Sequence, residues 1–316
     1  MKTQRVVWGE TLARLSETDK RVVVLDGDLA TSTRADIVAE RNPDAFIQVG
    51  IAEQNLVGMA FGMSTLGYRP WLSTFGVFLT NRALDQIRML VSQTKAPVRI
   101  AAAYSGLLNG SSGKTHQDIE DLAIMRAMPN ITVIAPADEY EAEAVIRWAA
   151  EHDGPVYVRI ARDAVAPVFG DGYEFELGRP ALVRDIDSVG AISTTLISTG
   201  VQTSRVLEAA ALLAADGIQA RVIHLATLKP LDADALAGLI GDETHVITVE
   251  EHSRIGGLGG LVAEVLGERG GARLTRIGLT DRWSESAPND FLLDKYGLSP
   301  VRVAEQVKAS LPTLVT

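Results

Sequence analysis

Not one of the 316 residues is a cysteine, which excludes disulfides, Cys-ligated zinc and iron–sulfur clusters while leaving the compartment open. Positive charge is also in short supply: 30 Lys and Arg face 40 Asp and Glu, for a net charge of -10. No cluster of five or more basic residues interrupts that balance, so nucleic acid is not an expected partner. No apolar run is long enough to cross a bilayer, and Met1-Lys-Thr-Gln-Arg-Val-Val-Trp8 lacks the apolar core of a signal peptide. The expectation is a soluble cytoplasmic protein without a membrane partner. Short-period repeats, coiled-coil heptads and low-complexity tracts are missing too. The glycine-rich Ile255-Gly-Gly-Leu-Gly-Gly260 does not meet the G-x-G-x-x-G spacing of a dinucleotide loop and reads as a tight strand-to-helix turn.

A hydrophobic content of 47% with 22% charged residues marks a globular chain, and its length allows two compact domains. Up to about Arg162, short β-rich runs alternate with helical patterns, as in a parallel sheet covered on both faces. The runs begin at Arg21, Ala45, Pro70, Pro97, Ile131 and Val156. Between Val165 and Asp187 the composition turns to Pro, Gly and acidic residues, which predicts a linker. A second α/β unit follows, with strand-like runs at Thr195, Ala220, His245 and Arg273. The fold class is therefore α/β in two domains, residues 1–168 and 188–316, joined by residues 169–187.

One carboxylate stands out. The strand-like Phe46-Ile-Gln-Val49 leads through Gly50-Ile-Ala to Glu53, and Asn55 to Leu66 then carries Leu56, Met59, Ala60 and Met63 at helical spacing. Glu53 is thus expected at a helix start, where the dipole favours an anion. An ordinary acidic first turn has the same pattern, so the surroundings must decide. In order along the chain they are Asp26-Gly-Asp28-Leu, Gly50-Ile-Ala-Glu53-Gln, Ser73-Thr-Phe75-Gly-Val-Phe78, Gly113-Lys-Thr-His116-Gln-Asp, Ile134-Ala-Pro-Ala-Asp138, Leu228-Lys-Pro-Leu-Asp232 and Val249-Glu-Glu-His-Ser.

Together these segments resemble the C-terminal half of transketolase, its pyrimidine-binding and C-terminal domains, over nearly the whole chain. The resemblance implies a thiamine diphosphate enzyme in which Glu53 bonds the cofactor's pyrimidine and promotes loss of the thiazolium proton. Phe75 and Phe78 match the aromatic positions that hold the pyrimidine ring, although core packing is an alternative for both. His116 matches a histidine that contacts ketose hydroxyls and assists proton transfer, a task imidazole suits; a solvated surface histidine is the plainer alternative. Asp28 resembles a carboxylate near the thiazolium, and it is also placed to cap the following helix. Arg5, Ser32 and Arg162 fall where transketolases hold the substrate phosphate, for which guanidinium is well shaped.

Departures from the pattern bear on the substrate. Ser112 stands where a hydroxyl-orienting carboxylate is usual, Lys114 adds a cation, Tyr104 replaces a phosphate-contacting histidine, and Asn81 replaces a third aromatic. Ordinary pentose phosphate specificity is not expected, while two-carbon transfer is. The Gly-Asp-Gly motif with its later Asn, which anchors Mg²⁺ (or Ca²⁺) and the diphosphate, has no counterpart: Gly27-Asp28-Leu29 lacks the third glycine. A partner subunit carrying that motif is therefore implied, giving a split transketolase, α2β2 by family architecture, with Phe75 to Leu90, including Arg82, Asp85 and Arg88, facing the interface or lying as a solvated helix. A 1-deoxyxylulose-phosphate synthase-like or 2-oxoacid dehydrogenase E1 β-like subunit, or a non-catalytic partner subunit, are the alternatives. Thr115-His116-Gln and the Asp121-Leu-Ala-Ile-Met-Arg126 helix favour transketolase over the dehydrogenase subunit.

Overall fold

The computed structural model describes residues 1–186, 192–270 and 272–311; Asp187 at the end of the expected linker, and residues 188–191, 271 and 312–316 of the expected second domain, lie outside the described residues.

Strands and helices alternate along the chain as α1 (Gln4–Thr18), β1 (Val22–Asp26), α2 (Ala30–Thr33), α3 (Asp36–Arg41), β2 (Phe46–Gln48), α4 (Glu53–Thr65), β3 (Arg69–Phe75), α5 (Gly76–Arg82), α6 (Leu84–Gln86), β4 (Arg99–Ala103), α7 (Asp121–Ala127), β5 (Thr132–Ile134), α8 (Glu139–Glu151) and β6 (Val156–Ile160). The second unit continues with β7 (Ala181–Arg184), β8 (Ile192–Ser198), α9 (Gln202–Ala215), β9 (Ile218–His224), β10 (Thr227–Lys229), α10 (Ala233–Ile240), β11 (His245–Ser253), α11 (Leu258–Arg269), β12 (Arg273–Leu279), α12 (Asn289–Lys295) and α13 (Pro300–Ser310).

The first sheet has the order β10-β5-β6-β4-β3-β1-β2 and the second β12-β11-β8-β9-β7. Every β-run expected from the sequence forms a strand. Those of the first unit pair in parallel, as their two-sided burial requires: β1, β4 and β6 are buried at every residue. Two strands escaped the sequence reading. Ala181–Arg184, inside the stretch read as linker, forms β7 and pairs antiparallel with β9 at the second sheet's edge. Its four residues are too few to show a period, and none of them is buried. Thr227–Lys229 leaves the second unit and adds antiparallel to β5, so the first sheet is closed by a strand from the other half of the chain.

That exchange makes one body of the two units. A single apolar cluster includes Leu72, Ile100 and Val133 of the first sheet and Ile197, Ile223 and Val246 of the second. Lys229 reinforces the seam: its ammonium group donates to the carbonyls of Met125 (3.2 Å), Arg126 (2.9 Å) and Met128 at the end of α7, and burial lowers its pKa to about 8. The stretch from Phe75 to Leu90 is not one amphipathic helix; it breaks into α5, α6 and a π-helical turn over Ile87–Ser92. None of the described helices is long and apolar enough to cross a membrane.

Candidate active site

Five loops converge where parallel strands of the first sheet end, the position at which open α/β sheets place their sites. Asp28 and Ser32 follow β1, Glu53 follows β2, Phe75 closes β3, Tyr104 follows β4 and Arg162 follows β6.

Glu53 is the first residue of α4 and is only 5% exposed. Its Oε1 accepts from Arg82 Nη1 at 2.9 Å, and the same guanidinium lies 3.9 Å from the centroid of Phe78. A planar nitrogen-rich cation is thus stacked on an aromatic ring while it donates to a buried carboxylate. Ile51, 73% exposed, and the exposed Gln54 and Met89 lie along the chain on either side of this pair.

Phe75, Phe78, Tyr104 and His116 form one aromatic group. Phe75 stacks on Phe78 with centroids 5.7 Å apart and on Tyr104 at 4.3 Å, and His116 presents itself edge-on to Phe75 at 6.1 Å and to Phe78 at 5.4 Å. The β-rich run ends at Phe75; Phe78 sits on α5, one helical turn further, which is what brings the two rings to one face. Plain core packing describes Phe75, which is buried, but not the half-exposed Phe78. His116 Nδ1 meets Thr115 Oγ1 at 2.9 Å, and Lys114 two residues earlier is exposed.

On the other side of Tyr104, two cations gather. Arg5 Nη1 donates to the Tyr104 hydroxyl at 2.7 Å and to the Ser32 carbonyl at 2.8 Å, and its Nε is buried without a partner among the described residues. Arg162 lies 5.4 Å from the Tyr104 ring centroid and Arg5 5.5 Å. Arg5 and Arg162 are therefore gathered at one phenol, and Ser32 is held to Arg5 through its carbonyl. Asp28 makes no bond to this group among the described residues: it is exposed and has φ of 65°, although its neighbour Leu29 packs against the cluster that holds Phe75 and Tyr104. The helix-capping alternative for Asp28 fails. The first turn of α2 has no side-chain cap; Asp26 instead braces the loop before it, its Oδ2 accepting from Leu29 N and Gln48 Nε2 at 2.9 Å each, and burial raises its pKa.

Sequence reasoning missed the charged layer beneath the site. Arg159 donates from Nε and Nη2 to Asp121 at 3.0 Å each, and the Tyr157 hydroxyl donates to the same carboxylate at 2.8 Å. Burial, with Asp121 beside it, raises the pKa of Asp118 well above the carboxylate range, and Thr80 Oγ1 donates to Asp118 Oδ2 at 2.8 Å. From the second unit, Glu251 accepts from Arg205 Nη1 at 3.1 Å and from the backbone of Leu107 at 2.8 Å. The acidic spacing Asp118-x-x-Asp121 and the Glu250-Glu251-His252 run were the available signals, but only folding shows that they meet the arginines. No group of three or more His, Cys, Asp or Glu is arranged to hold a metal among the described residues.

A profile of the transketolase pyrimidine-binding domain matches residues 1–167, and one of the transketolase C-terminal domain matches residues 190–303. A putative transketolase C-terminal section of Methanocaldococcus jannaschii is 40% identical over 97% of this chain and 95% of its own length. The 6-deoxy-6-sulfo-D-fructose transketolase subunit of Clostridium sp. (strain MSTE9) is 34% identical over 96% of this chain and 94% of that protein. Among solved structures, a split-gene transketolase in an inactive β4 tetramer superposes with a TM-score of 0.89 at 41% identity, covering 98% of this chain and 99% of that one. Carrying both of these domains and matching those half-length sections end to end, the chain belongs to the transketolase family and is a subunit corresponding to its C-terminal section.

Proposed function

We propose that the chain is the pyrimidine-binding subunit of a split, thiamine diphosphate-dependent transketolase-like enzyme that moves a two-carbon ketol unit from a ketose to an aldehyde. The observation that carries this reading is the seat made by Glu53 and Phe78. A carboxylate in a helix first turn and an aromatic face together hold a planar N–H donor, here the guanidinium of Arg82. An aminopyrimidine presents the same flat outline and nitrogen chemistry, so the residues fit the cofactor's pyrimidine end. Bound there, the cofactor supplies the nucleophilic thiazolium carbon that accepts and passes on the ketol unit.

The chain's own residues carry the rest. Glu53 holds or yields a proton at its carboxylate, in surroundings dry enough for one bond to count. Phe75 and Phe78 orient the ring. His116, edge-on to both, exchanges protons with substrate hydroxyls, and exposed Lys114 stands beside it. Arg5 and Arg162, gathered at Tyr104, hold the substrate's anionic end; the buried Nε of Arg5, unpartnered among the described residues, is a donor in reserve. Ser32 contributes its backbone carbonyl to that pocket, and exposed Asp28, beside the Leu29 that packs on the aromatic group, meets the cofactor only across an interface. That anionic end is a phosphate, or a sulfonate of the kind in the Clostridium relative's name.

The diphosphate and its Mg²⁺ fall to a partner subunit with a Gly-Asp-Gly motif and a later Asn, in an α2β2 assembly whose sites lie between chains. Exposed Ile51, two residues before Glu53, supports an interface there. Co-expression with such a chain, followed by assay of thiamine-dependent ketol transfer from phosphorylated and sulfonated ketoses, tests the reading. Glu53→Gln is expected to lower kcat by about 10²-fold or more, as for loss of a positioned acid–base group, with the fold intact. Turnover equal to wild type in that variant overturns the assignment.

A further inference from the structure

Among the described residues the second unit places no side chain in the aromatic group, yet it grips the loop that carries Lys114 and His116 at two points. At the root, Glu251 Oε1 accepts the backbone N–H groups of Leu107 (2.8 Å) and Leu108 (3.3 Å). Gly106, at φ of 91°, makes room: a Cβ there would lie 2.4 Å from Glu251 Oε1. At the tip, Asn289 at the start of α12 uses its amide in both senses. Its Oδ1 accepts from Gly110 N at 3.0 Å, while its Nδ2 donates to the Leu108 carbonyl at 3.2 Å and to Asp163 Oδ2.

The residues before Asn289 continue the contact. Ala287 N donates to the Gly110 carbonyl at 3.1 Å, and Gln117, next to His116, meets Ser284 Oγ and the Glu285 carbonyl. Gly113, at φ of 75°, presses so closely that a Cβ would stand 2.2 Å from Ser286 Oγ. Asp163 immediately follows Arg162. One amide from the second unit therefore ties the loop bearing His116 to the loop bearing Arg162.

We propose that Asn289 is a positioning residue that sets the distance between the proton-exchanging end of the substrate site, at His116, and its anion-holding end, at Arg162. The inference rests on the roles proposed above for those two residues. An amide is suited to this junction because it offers an acceptor to Gly110 N–H and donors to a carbonyl and a carboxylate at once. An aspartate would lose both donors and set two carboxylates against each other; an alanine would release both loops.

The test uses the chain assembled with a subunit bearing the Gly-Asp-Gly motif, with fructose 6-phosphate and unphosphorylated fructose as donors. For Asn289→Ala, kcat/KM with fructose 6-phosphate is expected to fall about 10- to 100-fold, the scale of an ångström-sized misplacement, and the preference over fructose to shrink. Affinity for thiamine diphosphate should stay unchanged, since Glu53 and Phe78 lie outside the clamp. Hydrogen exchange at Gly110 N–H, followed in the chain alone, should quicken about tenfold or more as its protecting bond is lost. Asn289→Asp should be as impaired as Asn289→Ala, and adding Asp163→Asn should rescue it by restoring the bond with donor and acceptor exchanged. Kinetics within twofold of wild type in Asn289→Ala, or a parallel loss of cofactor affinity, overturns the positioning role. Glu53→Gln separates this from the underlying reading: turnover surviving that change overturns both, whereas turnover abolished by it but untouched by Asn289→Ala overturns only the role of Asn289.

Discussion

Arg82 occupies the seat proposed for the cofactor's pyrimidine, and its removal has a calculable effect. To admit the cofactor's ring, the chain must give up the 2.9 Å pair with Glu53 and the 3.9 Å stack on Phe78. A hydrogen bond to a charged group contributes about 1.5–3 kcal/mol when shielded, but Arg82 is 49% exposed, which brings the pair down to about 1 kcal/mol. Stacking of an exposed cation on a ring adds about 0.5–1 kcal/mol. The ring therefore competes against about 1.5–2 kcal/mol, and Arg82→Met should tighten thiamine diphosphate binding by about 10- to 30-fold. Methionine keeps the apolar stem over Phe78 and removes the cation. Calorimetric titration of the assembled enzyme with thiamine diphosphate measures the effect. Weaker binding would refute the reasoning, because Arg82 would then be a partner of the cofactor rather than its competitor.

Two further predictions concern the charged layer. Asp121→Ala strips Arg159 of its bidentate partner in a fully buried setting, so urea unfolding should show a loss of about 3–5 kcal/mol, toward the lower end because Asp118 is close enough to take over as counter-ion; a loss below about 1 kcal/mol would mean that Arg159 is hydrated. Glu250 and His252 should oppose each other in pH dependence. Burial raises the folded pKa of Glu250 from 4.5 to about 7, so the folded chain retains a proton the unfolded one releases, and stability falls as pH rises through that window. Burial lowers that of His252 from 6.5 to about 4, so the unfolded chain binds the extra proton and stability rises from about pH 4 to 6.5. Glu250→Gln should therefore show a steeper rise in melting temperature over that range than wild type, whatever its absolute stability; parallel profiles would contradict the assignment.

Much of the architecture was legible in the chain itself. Alternating apolar runs set the strands because a strand buried on both faces must be apolar throughout, and Glu53 opens its helix as the spacing required. What stayed hidden were contacts between distant residues. Nothing in Thr227-Leu-Lys229 distinguishes a strand that returns to the first sheet from one that stays with its own, since three residues carry no period and pairing is decided by where the free edge of β5 lies. Arg159 reads as one polar residue in an apolar strand until Asp121 and Glu251 are brought to it. Local sequence thus determined the elements, the family and the candidate residues, because periodicity and motif spacing are properties of neighbours along the chain. Tertiary structure alone decided that Arg82 holds Glu53, that Asp26 rather than Asp28 braces the first loop, and that Asn289 reaches the His116 loop, because hydrogen bonds and charge pairs act over a few ångströms of space and take no account of the 179 sequence positions that separate Gly110 from Asn289.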